Sequence, residues 1–94
     1  THEELPYGVA VQVESFTEKT EQNLVVIQAV INVERDSHKK IIVGKRGQMI
    51  RTLGQDARYE IERFLGTRVY LELFVRVQKD WTQSDRMLRE LGYE

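Results

Sequence analysis

The residues of this sequence best suited to chemistry are four consecutive positions, Gly44-Lys45-Arg46-Gly47. Two cationic side chains stand between two glycines, which lack a Cβ and so let the backbone turn sharply and approach a ligand closely. An amphipathic segment follows at once, and a helix starting there would present free N–H groups and the positive end of its dipole. The combination of glycines, cations and a helix N-terminus favours the binding of a phosphate group.

Charge is unevenly distributed along the chain, although the formal net charge is only −1. Residues 35–51 hold six cations and one anion, whereas the rest of the sequence holds eight cations and fourteen anions. A local basic patch matters more for phosphate binding than the net charge of a whole domain. A solvated basic helix face would explain a charge run alone, but the glycine turn at the centre of this one favours a binding role.

The bulk composition is that of a small globular domain. A length of 94 residues allows one domain, and 40% hydrophobic with 31% charged residues is ordinary for a soluble fold. No apolar run is long enough to predict a transmembrane helix. The sequence has no cysteine, which excludes disulfides, thiol catalysis and cysteine-based zinc sites. It also fits a reducing compartment, and we expect a cytoplasmic location.

The periodicity of apolar residues predicts the element order β, β, α, α, β, α, with the Gly-x-x-Gly turn between the first two helices. Alternation of apolar and polar residues indicates strands, and steps of three and four indicate amphipathic helices. Strands in one layer and helices in the other make an α+β sandwich. The predicted strands start at Tyr7 and cover 24–33 and 69–77, the predicted helices cover 37–43, 48–65 and 84–92, and 15–23 is predicted as a loop.

The longest predicted helix, 48–65, carries one apolar stripe that should face the core. Asp36 or Ser37 is expected to cap the shorter helix before it, and Gly66 to end the longer one. Gly54 lies inside the longer helix at a cost of about 1 kcal/mol relative to alanine, so we expect another element to approach closely there. The predicted inward residues are Ile50, Leu53, Ala57, Ile61 and Phe64 on this helix and Ile27, Ala29, Ile31 and Val33 on the second strand.

A Gly-x-x-Gly spacing is weak evidence by itself, because glycine is common. One alternative is a plain corner between two helices in which the glycines serve packing. Another is a helix–turn–helix that places its second helix in a DNA major groove. Cations and anions alternate along that helix, which suits a solvated face better than a phosphate-binding surface. The charges and the strand order favour a phosphate-binding loop over both alternatives.

No catalytic residues and no metal ligands are predicted. His2 and His38 do not form a metal-ligand spacing, and no serine has the His-Asp pattern of a nucleophile. The chain has no GxxxxGK[ST] motif, so it should hold no nucleoside triphosphate. Aromatic residues such as Tyr70 and Phe74 are not interleaved with the basic patch, and we expect them to pack in the core or on the surface. The sequence therefore predicts a domain that is not an enzyme.

Several stretches resemble the C-terminal KH domain of the Era-type GTPases, which act in assembly of the small ribosomal subunit. The resemblance implies a KH domain of the second type, with a three-stranded sheet of mixed strand direction packed on helices. The family has a helix before its first strand. We expect residues 1–94 to form a single KH domain without that helix, with a GTPase domain upstream in the full-length protein. The matching stretches are 4–7, 33–35, 39–44, 47, 50–51, 53–54, 57–58, 69–73, 80–81 and 88–93.

The resemblance also implies partners and cofactors. The expected partner is single-stranded RNA, namely the 3′ end of the 16S-type ribosomal RNA, together with the small ribosomal subunit. GTP and Mg²⁺ belong to the expected upstream domain, and this chain should hold no cofactor. Peripheral association of the full-length protein with a membrane is a further implication. A protein–protein interaction domain that docks a GTPase or a ribosomal protein is the alternative function.

The residues expected to bind RNA fall into two groups. Backbone N–H groups and cations at the glycine turn should hold phosphates, and an apolar edge that includes strand 30–33 should face the bases. Contacts to base edges, rather than charge, should give specificity. The predicted RNA-binding residues are Lys39, Lys40, Ile42, Val43, Gly44, Lys45, Arg46, Gly47, Ile50 and Arg51.

Overall fold

Residues 8–79, which a computed structural model describes, form one sheet and two α-helices. The elements are β1 (Val9–Lys19), β2 (Leu24–Val33), α1 (Asp36–Val43), α2 (Gln48–Leu65) and β3 (Arg68–Val77). This confirms the α+β class and the predicted order as far as the third strand. The predicted helix at 84–92 and the motifs at 4–7 and from residue 80 onward lie outside the described residues.

The sheet has the strand order β1-β2-β3, with β2 in the centre. β1 pairs antiparallel with β2, from Val9 opposite Val33 to Lys19 opposite Leu24. β3 pairs parallel with β2, and the crossover that a parallel pair needs is supplied by α1 and α2. The mixed strand directions implied by the resemblance are confirmed. Within the described residues, β3 has one unpaired edge, whereas β2 is hydrogen-bonded on both sides.

The core lies between this sheet and the two helices. Alternate residues of β2 point toward the helices, as their periodicity predicts, and all four predicted inward residues of this strand are buried. One cluster joins Val25, Ile27 and Val69 to Ile61 of α2. The other joins Ile31, Val33 and Ile42 to Leu73 and to further residues of β1 and β3. The helices are thus fixed on the sheet at both ends of its central strand.

The predicted loop at 15–23 is wrong for its first half, because β1 continues to Lys19. A bulge between Val13 and Ser15 shifts the register by one residue, which breaks the alternation that would have revealed the strand. The residues after the bulge are mostly exposed, so little apolar patterning marks them. A single 3₁₀ turn, Thr20–Gln22, and Asn23 with φ 52° then lead into β2.

Three predictions about the helices are also wrong. The N-cap of α1 is Arg35, without a side-chain cap, and Asp36 already lies inside the helix. Two predicted inward residues of α2 are exposed, Leu53 by 37% and Phe64 by 88%, and Phe64 lies beyond Ile61, which packs on the sheet. A Cβ on Gly54 would lie 3.6 Å from Leu73 Cδ1, an ordinary contact, so no close approach requires glycine there. The boundaries of α2 and its end at Gly66 are confirmed. Among the described residues, no helix has the length and apolarity needed to cross a membrane.

Candidate nucleic-acid interface

The Gly-x-x-Gly turn begins where α1 ends. The Gly44 N–H donates to the Lys40 carbonyl at 2.9 Å and closes the last turn of the helix. Gly44 has φ 76° and ψ 177°, a combination that is essentially restricted to glycine. A Cβ at this position would lie 2.5 Å from the Cβ and 2.9 Å from the backbone nitrogen of Met49. The first glycine is therefore required by both backbone conformation and space.

The rest of the turn is tight and left-handed. Arg46 has φ 56° and Gly47 has φ 72°, and the Gly47 N–H donates to the Gly44 carbonyl at 3.1 Å. Left-handed backbone costs a non-glycine residue such as Arg46 about 1–2 kcal/mol. The Arg51 guanidinium donates to the Arg46 carbonyl at 3.2 Å, which ties the turn to the start of α2. Lys45 and Arg46 are thereby held exposed at the tip.

Backbone donors are available at this tip. Among residues 8–79, neither Lys45 nor Arg46 donates its backbone N–H to another element. α2 starts at Gln48 after Gly47; the Gln48 N–H donates to the Lys45 carbonyl, and no side chain caps the N–H groups that follow it. Such N–H groups and the positive end of the helix dipole attract an anion.

The cations predicted around the turn are all exposed: Lys39, Lys40, Lys45, Arg46 and Arg51. In the part of the chain that the structure describes, the ion pairs join Arg63 to Glu60 and Arg76 to Glu14, and neither involves the basic segment. No neighbouring carboxylate therefore neutralises these five side chains there, and their charge is available to a ligand. The same described residues contain no group of three His, Cys, Asp or Glu side chains that could hold a metal ion.

An open groove of about 520 Å³ leads away from the turn. One wall is α2 and the other is β3, which like β1 has one edge unpaired within the described residues. Three of the predicted residues line the groove, namely Gly47, Ile50 and Arg51. The sequence analysis did not predict the other residues that line the groove. The one feature of the sequence that pointed to them was Gly54, the glycine inside α2. The missed residues are Gly54, Gln55, Arg58, Tyr70, Leu71 and Leu73.

The structure places two predicted features of the apolar edge in the core and not in the groove. Ile42 is only 7% exposed, because it anchors α1 on the sheet beside Ile31 and Val33, and little of its side chain could meet a base. Strand 30–33 is buried and belongs to the central strand, whose backbone is already paired on both sides. Within residues 8–79, β3 has an unpaired edge and lines the groove instead. Val43 is half-buried, and Lys39 and Lys40 lie on α1 outside the groove lining.

Comparison with known proteins places these features in context. The KH domain family profile matches residues 4–82. Curated relatives include GTPase Era of Trichlorobacter lovleyi, 62% identical over 94 residues, and GTPase Era of Geotalea daltonii, 56% identical over 94 residues. Each match covers 100% of this chain and 31% of the relative, so the chain spans about a third of their length. These relatives confirm the resemblance to Era-type GTPases noted in the sequence.

Solved structures agree with the sequence relatives. Aquifex aeolicus Era bound to GDP·AlF4⁻ superposes with a TM-score of 0.81 at 40% identity. Era in complex with MgGDPNP and nucleotides 1506–1542 of 16S ribosomal RNA gives the same TM-score and identity. Both matches cover 99% of this chain and 31% of the other. The part of these proteins that this chain matches is their KH domain.

Proposed function

We propose, because this chain belongs to the KH domain family, that it clamps single-stranded RNA. KH domains hold the backbone of about four nucleotides with a Gly-x-x-Gly loop. The observation that carries the proposal is the open groove of about 520 Å³ that begins at Gly47 and runs between α2 and the unpaired edge of β3. A phosphate-binding turn and a groove for bases are thus continuous.

The turn would hold the RNA backbone. Gly44 and Gly47 bring the main chain close to a phosphate, and the N–H groups of Lys45 and Arg46 can donate to its oxygens. The side chains of Lys45 and Arg46 add two positive charges at the tip, and neither forms an ion pair within residues 8–79. Phosphate contacts of this kind set the position of the strand and carry no sequence information directly.

The groove would hold the bases. Ile50, Leu71 and Leu73 supply apolar surface, and Gly54 leaves the wall of α2 flat beside Leu73. N–H and C=O groups on the edge of β3 that is unpaired within the described residues can pair with base edges, and contacts to base edges read the sequence. β3 therefore takes the place that the sequence had suggested for β2.

We extend the proposal to the whole protein from its relatives. The RNA is the 3′ end of 16S-type ribosomal RNA, and the protein acts in assembly of the small ribosomal subunit in the cytoplasm. Support comes from the Era structure that contains nucleotides 1506–1542 of 16S ribosomal RNA. An upstream GTPase domain with GTP and Mg²⁺, and peripheral membrane association of the full-length protein, belong to the same proposal.

An NMR titration with single-stranded fragments of nucleotides 1506–1542 tests the proposal. We expect shifts of amide signals in the turn, along the groove side of α2 and at 70–73, with affinity that falls as salt rises. A double-stranded fragment of equal charge is the control for non-specific attraction. Weak binding that ignores salt, or shifts confined to the far side of the sheet, would favour the protein-docking alternative.

A further inference from the structure

We propose, resting on the RNA-clamping function above, that Glu62 is a positioning residue for base recognition: its side chain holds the start of the β3 edge in place beside the groove. Glu62 is half-buried, and its Oε2 accepts the backbone N–H of Val69 at 2.9 Å. Val69 comes directly before Tyr70 and Leu71, the first residues of β3 that line the groove. The carboxylate therefore fixes the backbone next to the groups that would read a base.

Two hydrogen bonds, one near each end of β3, show which of its backbone groups face the unpaired edge. In a strand, the N–H and C=O groups of one residue point to the same side, and those of the next residue point to the opposite side. The Gln78 N–H donates to the Val33 carbonyl of β2 at 2.8 Å, whereas the Val69 N–H donates to α2. The backbone groups of Leu71 and Leu73 therefore face the edge that is unpaired within residues 8–79.

Glu62 also sets the position at which base pairing along this edge begins. The N–H groups of Val69, Leu71 and Leu73 point to the same side of the strand, and Leu71 and Leu73 line the groove. Because the Val69 N–H is already paired with the carboxylate, a base can pair with the edge from Leu71 onward but not at Val69. Without the carboxylate, a base could pair one step out of register.

The connection between α2 and β3 shows how one residue joins the two walls of the groove. The Glu62 carbonyl accepts the Gly66 N–H at 2.8 Å, which ends the helix, and the carboxylate of the same residue reaches Val69 on the strand. The connection is also tied to the turn between β1 and β2, where Thr67 Oγ1 donates to the Asn23 carbonyl at 2.9 Å. The end of α2 and the start of β3 are thus held together through Glu62.

A role of Glu62 through charge alone makes the opposite prediction. Glu62 lies beside two cations, Arg58 and Arg68, which line the same cavity. A carboxylate repels phosphate, so its removal should tighten RNA binding if its charge were what mattered. A positioning role predicts weaker binding after the same change. The direction of the change in affinity therefore separates the two roles.

The test measures fluorescence anisotropy with a single-stranded fragment of nucleotides 1506–1542 of 16S ribosomal RNA and with a fragment of the same composition in scrambled order. The variants are Glu62→Ala, Glu62→Asp, which keeps the charge on a side chain shorter by one methylene group, and Glu62→Gln, which keeps an oxygen acceptor without the charge. Glu60→Ala is the matched control, because Glu60 is an exposed glutamate of α2 that pairs with Arg63 and lines neither the groove nor the cavity beside Arg68. Thermal unfolding shows that each variant is folded at the temperature of the measurement.

Glu62→Ala and Glu62→Asp should bind the native fragment about two- to tenfold more weakly, the effect of one hydrogen bond, and lose a similar part of the preference over the scrambled fragment. A loss of stability alone would not change that preference in the folded protein. Glu62→Gln and Glu60→Ala should keep it. If both Glu62→Ala and Glu62→Asp keep the preference of the parent, or if Glu62→Gln loses it, the positioning role is refuted while the clamp stands. If the folded parent binds neither fragment, the proposed function itself fails.

Discussion

The Arg51 guanidinium donates a hydrogen bond to the backbone carbonyl of Arg46 across 3.2 Å. Within the described residues, Arg46 and Asn23 are the non-glycine positions with positive φ. A side chain from the start of α2 therefore braces the strained residue at the tip of the phosphate-binding turn. Arg51 both lines the groove and positions the loop that leads into it.

Because Arg51 has these two roles, removing its hydrogen bond and removing its charge should affect RNA binding differently. Arg51→Lys keeps the positive charge but loses the planar guanidinium, so RNA binding should weaken by about 1 kcal/mol, the net contribution of one hydrogen bond. The salt slope should stay unchanged, and the amides of the turn should exchange faster with solvent. Arg51→Ala should also flatten the slope. Parent-like affinity and amide exchange in Arg51→Lys would show that the brace is dispensable.

The two glycines of the turn should differ in their effect on stability. Gly44→Ala forces a Cβ to within 2.5 Å of the Met49 Cβ and imposes a backbone conformation that alanine avoids. We expect a loss of about 1–3 kcal/mol in the free energy of unfolding, measured by urea denaturation. Thr52→Ala, an exposed change one turn along α2, serves as the control. A stable Gly44→Ala variant would mean that the turn can adopt another conformation.

Gly47 offers a cleaner test of phosphate binding. Nothing lies closer to its added Cβ than the Arg51 guanidinium at 3.8 Å, and asparagine and aspartate tolerate its φ of 72° better than other residues. Gly47→Asn and Gly47→Asp have nearly the same shape and differ in charge. Because a carboxylate repels phosphate, Gly47→Asp should bind RNA about 1–4 kcal/mol more weakly than Gly47→Asn. Equal affinities of the two variants would place phosphate elsewhere.

Lys45 should contribute charge and little else. Its side chain is exposed at the tip and forms no ion pair within residues 8–79. Lys45→Ala should weaken binding of all sequences alike and reduce the slope of log affinity against log salt by about 0.7, the value for one phosphate on a single strand. The measurement is fluorescence anisotropy over a salt series, with Arg63→Ala as the control. An unchanged slope would place Lys45 outside the interface.

The fold was predictable where a local pattern settles it. β2 is rich in β-branched residues, β3 has an apolar residue at every second position, and α2 is bounded by Gly47 and Gly66, so their positions follow from neighbouring residues. The sequence prediction ended β1 too early, because the bulge after Val13 interrupts the alternation of apolar and polar residues. Periodicity shows which face of a strand is apolar. It cannot show that a strand continues beyond a bulge, because the bulge changes which residues face the core.

The turn of the candidate site was predictable from the sequence, whereas most of the groove was not. The turn is contiguous in sequence, so its glycines and cations could be recognised together. The groove joins Gly54 to Leu73, nineteen positions apart, and only the packing of α2 on β3 brings them together. Which strand takes the edge of the sheet depends on the whole topology. For that reason Ile42 and strand 30–33 were assigned to the base-binding edge, although they lie in the core.

Gly54 links stability and function in one residue. It lies inside α2 with no positive φ, and a Cβ there would lie an unstrained 3.6 Å from Leu73 Cδ1, on the wall of the groove. Gly54→Ala should therefore stabilise the domain by up to about 1 kcal/mol, because alanine favours a helix. The added methyl group would occupy space that a base needs, so RNA binding should weaken at the same time.

Thr52→Ala separates these two effects, because it also raises helix propensity but lies outside the groove lining. Thermal unfolding and RNA affinity are measured on both variants. Thr52→Ala should gain stability and keep its affinity, whereas Gly54→Ala should gain stability and lose affinity. If Gly54→Ala binds RNA as tightly as the parent, the bases do not pass along this wall of α2, and the groove is not their binding site.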